Sequence, residues 1–537
     1  MTLGSPSRDE RRWLLACLAI AATLQLVVVN HWSGFASPNE RGRAYQAIAI
    51  ASHGSLAIDR EVARFGTMED IAIVGGHLYP NKAPGATLLV VPAAVVARAI
   101  AGGSDAELVW TLTLGRLLAS SLPFLLTVLL LARYLRGAAP AGAPLAVLTF
   151  ALASPALSAS LLLFSHSLAA FLLLAAFVLL YSRPRPDLWR AALAGLAIGW
   201  AVTAEYPAVV PGAVLLIVAL PRLRAAGALA VAAGGAAPAA ALAVYNQACF
   251  GSPLALSSGH EAHAAYVDLA RHGLFGVGVP TLPGLLGLLA SPSRGLLVWL
   301  PVVALAAAGL GRRTSAKDRT ALVLTPLALL LAMAGYSNWH GGWFPGPRYL
   351  LATLPLVFVL VARGAETSLG SRPARVLVAA AVLWGAAHTW LSLASFPFPP
   401  EDYPLPAVTF SLPLLRAGVL APSWLPPPVA AVILAVLAGA AAALLMLQGM
   451  PTSSTRERAA AGILAGVALV TTLALPRPTT WQARLEWAVV HDLYAGAPRG
   501  GALEALRPQC ETLDQRNQLQ RRLAERDLAG RRTAESP

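Results

Sequence analysis

Lys82 lies in GHLYPNKAPGATLL (76–89), one of two lysines in a chain with 40 Lys and Arg side chains. Pro80 and Pro84 stiffen this stretch and Gly85 opens the apolar run that follows, so the loop aims its ammonium group. Lysine is a compact, strongly hydrated point charge suited to a single phosphate oxygen, whereas arginine offers a planar fork. Carboxylates precede it: Glu40 in SPNERGRAYQAIAIASHG, then Asp59, Glu61, Glu69 and Asp70. Farther on, GYSNWHGGWFPGPRYLLATLP carries His340, Arg348 and Tyr349, and a guanidinium there suits a phosphate or pyrophosphate near a membrane surface. His166 in LLLFSHSLAAF and the Glu205-Tyr206-Pro207 break are polar groups set between apolar blocks. Cations that neutralise a phosphate leaving group, beside a carboxylate that takes a proton, are the parts of group transfer from a phosphate-linked donor. Each residue also has a plainer reading. Glu40 is a helix-start carboxylate paired with Arg43, Lys82 and Arg348 are interfacial cations that snorkel, and His166 is a hydrogen-bonded packing residue. His260-Glu261-Ala262-His263 spaces its histidines three apart and lacks the HExxH zinc pattern.

The elements that must position these groups follow from composition. The chain has 537 residues, 57% hydrophobic and 12% charged, with mean hydropathy +0.63. Its apolar residues come in blocks long enough to cross a bilayer, which makes it a polytopic membrane protein. The net charge of +14 comes from arginine clusters between the blocks, where topology signals sit, and argues against a nucleic-acid partner. Cys17, Cys249 and Cys510 are far apart, with neither a disulfide framework nor a zinc spacing. Trp13–Val29 follows SRDERR without a small-residue cleavage site and reads as a retained first span.

Apolar blocks run over 13–30, 86–102, 108–132, 143–164, 166–181, 190–206, 207–220, 225–245, 284–310, 320–336, 349–362, 375–395, 427–447 and 458–475. The arginine clusters are Arg11/Arg12, Arg133/Arg136, Arg183/Arg185/Arg190, Arg222/Arg224, Arg312/Arg313/Arg319, Arg363/Arg372/Arg375 and Arg456/Arg458. All fall on the inner side if 86–102, holding Pro92 and Arg98, lies along the outer surface or dips in and returns. About 13 spans remain, with a transmembrane domain over 1–475 and a polar extracytoplasmic tail or small cap over 476–537. The outer face then collects the loops 31–107, 246–283, 337–348 and 396–426. The first of these is expected to carry short surface helices. No 20–50-residue repeat and no paired interrupted helices occur.

An acid soon after the first span, Tyr79-Pro80-Asn81-Lys82-Ala83-Pro84-Gly85 before a short surface helix, and Gly346-Pro347-Arg348-Tyr349-Leu350 at a later span resemble the GT-C glycosyltransferases. The branch resembled is that of the protein O-mannosyltransferases and the lipid A aminoarabinose transferase. The resemblance covers roughly 13–250 in layout and is most specific over 38–90; LASPSRGLLVWLP (289–301) extends it. Asn39-Glu40 stands where many relatives have Asp-Glu, and Lys82-Ala83-Pro84 replaces Lys-Pro-Pro. The resemblance implies an all-α, polytopic transmembrane helical bundle of GT-C type in the plasma (inner) membrane. It implies inverting transfer of a sugar from a polyprenyl-phosphate donor to a lipid, glycan or protein acceptor on the outer side. Glu40 is then the base and Asp70 a second acid. Lys82 and Arg348 hold the donor phosphate, while Tyr45, Tyr79, His166, Glu205, His340 and Tyr349 line the pocket. No metal cage is legible, so no metal or other cofactor is expected. The competing classes are a transporter or lipid flippase, whose polar residues would face a midplane cavity, and an oligosaccharide ligase using a polyprenyl pyrophosphate.

Overall fold

The computed structural model describes residues 7–28, 37–274, 276–311, 316–493 and 501–535. Residues 31–36 of the expected first loop, Arg312 and Arg313, and residues 494–500 of the tail lie outside them. Among the described residues, five helices are long and apolar enough to cross a membrane: Ala106–Ala138, Ala225–Phe250, Arg348–Ser368, Arg372–Ala394 and Pro427–Gly449. Shorter apolar helices accompany them, including Gly85–Ala101, His166–Tyr181, Leu188–Ala204 and Tyr206–Arg222. Burial sorts the long helices. Arg348–Ser368 has 78% of its most apolar window inside the protein and forms the centre, whereas Ala225–Phe250 has 17% and forms the rim. Leu229, Val244, Val432, Val436, Ile463 and Val470 are all exposed on rim helices. In water such a surface would drive aggregation; against lipid tails it is an ordinary solvent face.

The helix ends that carry arginine clusters meet at one end of the bundle and are tied there by ion pairs and a hydrogen bond. Arg136 Nε reaches Glu10 at 2.8 Å, Arg375 Nη2 reaches Glu457 at 2.7 Å, and Arg222 pairs with Asp318. The Ala141 amide donates to Glu366 at 2.9 Å.

Several expected spans are broken, each for a local reason. Block 143–164 forms a helix only over Ala143–Leu152. Pro155 cannot continue it, and Ser154 caps a five-residue turn, Pro155–Ala159, by accepting from the Ala156 amide. Block 284–310 is interrupted at Ser291-Pro292-Ser293-Arg294-Gly295 between Leu282–Ala290 and Leu296–Trp299. The supposed outer loop 396–426 contributes core instead: Phe396, Phe398, Tyr403 and Phe410 are buried, and Ala407–Arg416 is helical. The tail contains helices Trp481–Leu493 and Leu513–Glu535. They share a small apolar cluster of Leu485, Val489, Leu503, Leu506, Leu519 and Leu523. The first loop holds helices Pro38–His53 and Asp59–Phe65 and, in addition, a β-hairpin.

Small residues let the helices Leu188–Ala204 and Ala225–Phe250 touch backbone to backbone. A Cβ at Gly234 would lie 1.8 Å from the Ala192 carbonyl oxygen, and one at Gly195 would lie 2.0 Å from that of Val231. Gly234→Leu is therefore expected to cost about 1–3 kcal/mol and lower the thermal unfolding temperature in detergent. Gly439→Leu, with nothing within 4 Å, should leave that temperature unchanged.

Candidate active site

Asp70 and Lys82 are brought together by the hairpin of β1 (Ile71–Val74) and β2 (His77–Pro80). The two residues between the strands are Gly75 and Gly76, with φ of 59° and 82°. Two successive positive φ angles make the tight turn whose twist matches paired strands, and glycine adopts them without steric cost. The register pairs Ile71 with Pro80, so Asp70 and Asn81 face each other just beyond the strands. Lys82 Nζ then lies 3.1 Å from Asp70 Oδ2, both side chains mostly buried. Asp59 pins the hairpin from below by accepting from the Leu78 amide at 3.2 Å. Gly85 fixes the far end of the loop. A Cβ there would meet Ala204 N at 2.6 Å and the Thr203 carbonyl carbon at 2.7 Å, so the Lys82 loop rests on the helix end that presents Glu205.

The opposite edge of β1 is covered by a distant segment. The Ala262 amide donates to the Ile71 carbonyl at 2.9 Å, and Glu261 stands opposite Ala72. Asn81 Nδ2 donates to both Glu261 oxygens, at 3.0 and 2.8 Å. Burial raises the Glu261 carboxyl to about 7; Asn81 and Lys82 oppose that rise and Asp70 adds to it.

A second wall comes from the helix Pro38–His53 and the irregular segment before His166. Arg43 donates through Nη1 to the Asn39 carbonyl (2.9 Å) and side chain, and through Nη2 to Ser165 Oγ at 3.0 Å. Ser165 Oγ donates to Glu205, and His166 Nδ1 lies 3.2 Å from the same carboxylate oxygen. Burial would raise the Glu205 carboxyl, but His166, Ser165 and Arg43 outweigh it and hold the group below the usual carboxylate range. Burial pulls the Arg43 guanidinium down against the opposing charges of Glu205, Asp70 and Glu40.

Arg348 completes the cluster. It lies over the rings of Tyr349 (5.0 Å) and Phe164 (5.9 Å), and Asp70 and Glu205 are within electrostatic range of it. Its loop turns on Gly341, Gly342 and Gly346, all at positive φ. Buried Arg294 holds that loop by donating to the Gly342 carbonyl at 2.8 Å and to that of Pro399 at 3.3 Å. The Nε atoms of Arg43 and Arg348 are buried and find no acceptor.

Lys82, Asp70, Arg348, Tyr349, His166 and Glu205 thus belong to one neighbourhood. Glu40 is placed differently from its expected role. It is fully buried and pairs with Arg116 (Nε to Oε1, 3.0 Å) rather than with Arg43. The same oxygen accepts from the Leu163 amide at 3.0 Å, and Oε2 closes a capping box with Ser37. Four donors and no exposure leave this carboxylate no lone pair open to an acceptor hydroxyl. Tyr45 is buried behind the cluster, donating to the Gly66 carbonyl at 3.1 Å and packing on Phe65. Tyr79 packs edge-on against Phe250. His340 pairs with Glu401 at 2.6 Å on the neighbouring rim, where the charge of Arg348 reaches Glu401.

Arg43, Ser165, Glu261 and Arg294 build the site without a role in it from sequence patterning, where Arg43 figures only as a partner for Glu40 and Glu261 only in a weak zinc spacing. The hairpin had a signal: Gly-Gly between IAIV and HLYP. Among the described residues, no group of three or more His, Cys, Asp or Glu side chains is arranged to hold a metal ion.

If Glu40 is an anchor, Glu40→Gln takes from buried Arg116 the carboxylate charge that it pairs with. It should then cost about 3–5 kcal/mol, read as a lowered unfolding temperature in detergent. An unchanged temperature would free Glu40 for the proton-accepting role.

No protein-family model matches the chain, and no curated protein does. Among solved structures it is similar to ArnT from Cupriavidus metallidurans bound to undecaprenyl phosphate. The identity is 15%, covering 86% of this chain and 78% of that one, with a TM-score of 0.48. It is similar also to ArnT from Cupriavidus metallidurans in the apo state, at 16% identity over 82% and 78% of the two chains, again with a TM-score of 0.48.

Proposed function

We propose that this protein is an integral-membrane glycosyltransferase that moves a sugar from a polyprenyl-phosphate donor to an acceptor, with inversion. The observation that carries the reading is the gathering of Lys82, Arg43 and Arg348 around Asp70 and Glu205. The buried Nε donors of Arg43 and Arg348 lack acceptors. Buried guanidinium donors are costly to leave unpaired, and a phosphate is the guest that would satisfy them. Lys82 and Arg348 hold the donor phosphate and Arg43 supports them from the second wall. Positive charge there stabilises the negative charge that builds on the phosphate as the sugar leaves. Asp70 keeps Lys82 aimed and is the nearer of the two expected acids to the phosphate.

The cluster lies at the ends of helices opposite those bearing the paired arginines. With arginine-rich ends on the cytoplasmic side, the reaction takes place on the extracytoplasmic face, in the plasma (inner) membrane. A transporter would set its polar groups along a midplane path, whereas this network draws on a loop hairpin and helix termini.

Undecaprenyl phosphate binding to the purified protein in detergent tests the reading. Lys82→Ala and Arg348→Ala each remove a charged contact of about 1.5–3 kcal/mol, so each should weaken binding by tenfold or more. A double variant that binds as tightly as the parent would overturn the phosphate site.

A further inference from the structure

Of the carboxylates around the cluster, three are already engaged. Glu40 is saturated by four donors, Glu205 is held by Ser165 and His166, and Asp70 is in contact with Lys82. Glu261 differs in both access and placement. Its side chain is partly exposed, and both its oxygens share the single Nδ2 group of Asn81. The backbone delivers it firmly: the next residue hydrogen-bonds to β1, and His260 stacks on Phe250 at 5.4 Å and 10°. Lys82 and Asp70 act electrostatically on the carboxylate, and its charge in turn reaches Tyr336. Tyr336 meets Tyr349 edge-on at 5.6 Å, beside Arg348.

We propose that Glu261 is a catalytic residue, the group that takes the proton from the acceptor hydroxyl; this rests on the glycosyltransferase reading above. As the acceptor oxygen forms its bond to the anomeric carbon, its proton passes to the Glu261 carboxylate. The bond from that carbon to the phosphate oxygen breaks, and its electron pair stays on the polyprenyl phosphate. The proton then leaves Glu261 for solvent, so the products are a glycoside, polyprenyl phosphate and one proton. A carboxyl raised to about 7 is a stronger base than an ordinary one and works when ionised. Turnover should therefore fall as pH drops through the neutral range. The groups facing Glu261 are Asn81, Lys82 and Asp70 of the hairpin and Tyr336 of the far wall. His260 and His263 flank it on its own segment.

The test uses the full-length protein in detergent. Binding of undecaprenyl phosphate is measured together with its release from a pool of undecaprenyl-phosphate-linked sugars supplied with a membrane extract as acceptor. Glu261→Gln should bind undecaprenyl phosphate about as the parent does while release falls about a hundredfold or more. The acid limb of the parent's pH profile should be missing from the residual activity, and formate should restore release to Glu261→Ala. Parental release by Glu261→Gln would overturn the assignment of the base alone. Loss of both binding and release without formate rescue would make Glu261 a tether for the hairpin, and would equally overturn it. A parent that neither binds undecaprenyl phosphate nor releases it overturns the donor reading, and the base role with it.

Discussion

Irregular backbone at membrane depth must find its hydrogen bonds within the protein, and the stretch from Ser160 to Ser165 satisfies that demand with side chains from two elements. Glu40 accepts from the Leu163 amide, Ser120 donates to the Phe164 carbonyl at 2.9 Å, and Ser121 donates to the Ser160 carbonyl at 2.8 Å. Arg116 neutralises Glu40 with both side chains fully buried. Such a pair gains little over an apolar one but is costly to break, so it fixes geometry more than it adds stability. Here it locks the helix Pro38–His53 to Ala106–Arg116 and to the segment that ends in Ser165 and His166. Arg43, one turn beyond Glu40, is thereby aimed at Ser165 and the Glu205 carboxylate.

The other wall is built by short-range chemistry on the loop side. A Gly-Gly turn sets the hairpin, the hairpin sets Asp70 against Lys82, and Gly85 lets the loop rest on the backbone beside Glu205. Because the loop is fixed by a stiff turn, an ion pair and a backbone contact, Lys82 is held before any ligand arrives. Preorganised charge of this kind avoids reorganisation when negative charge develops. Arg294 plays the same part for the third segment, tying the glycine-rich loop before Arg348 to the backbone at Pro399.

The bundle beneath the site divides its labour by solvent. Arg348–Ser368 runs through the centre, where its side chains pack on all sides, and Ala225–Phe250 faces lipid along most of its length. Both have the hydropathy of a span, so composition cannot separate them. Which is central depends on partners, and the glycine contacts between Ala225–Phe250 and Leu188–Ala204 mark a line along which the rim helix is held closely.

The amino-acid sequence alone determined that the chain lives in a membrane, that its arginine clusters share one side, and that Lys82 and Arg348 are set in stiff, shaped loops. These follow from hydropathy, charge position and Pro/Gly chemistry, which are local properties. The Gly-Gly hairpin left a local signal, four residues on either side of a turn, in a loop expected to carry only short helices. Tertiary structure alone decided that Glu40 pairs with Arg116, 76 residues away, and that Glu261 meets Asn81 across 180 residues. A carboxylate's role depends on how many donors reach it and how much water remains. Both are set by the packing of distant segments, and no spacing along the chain encodes them.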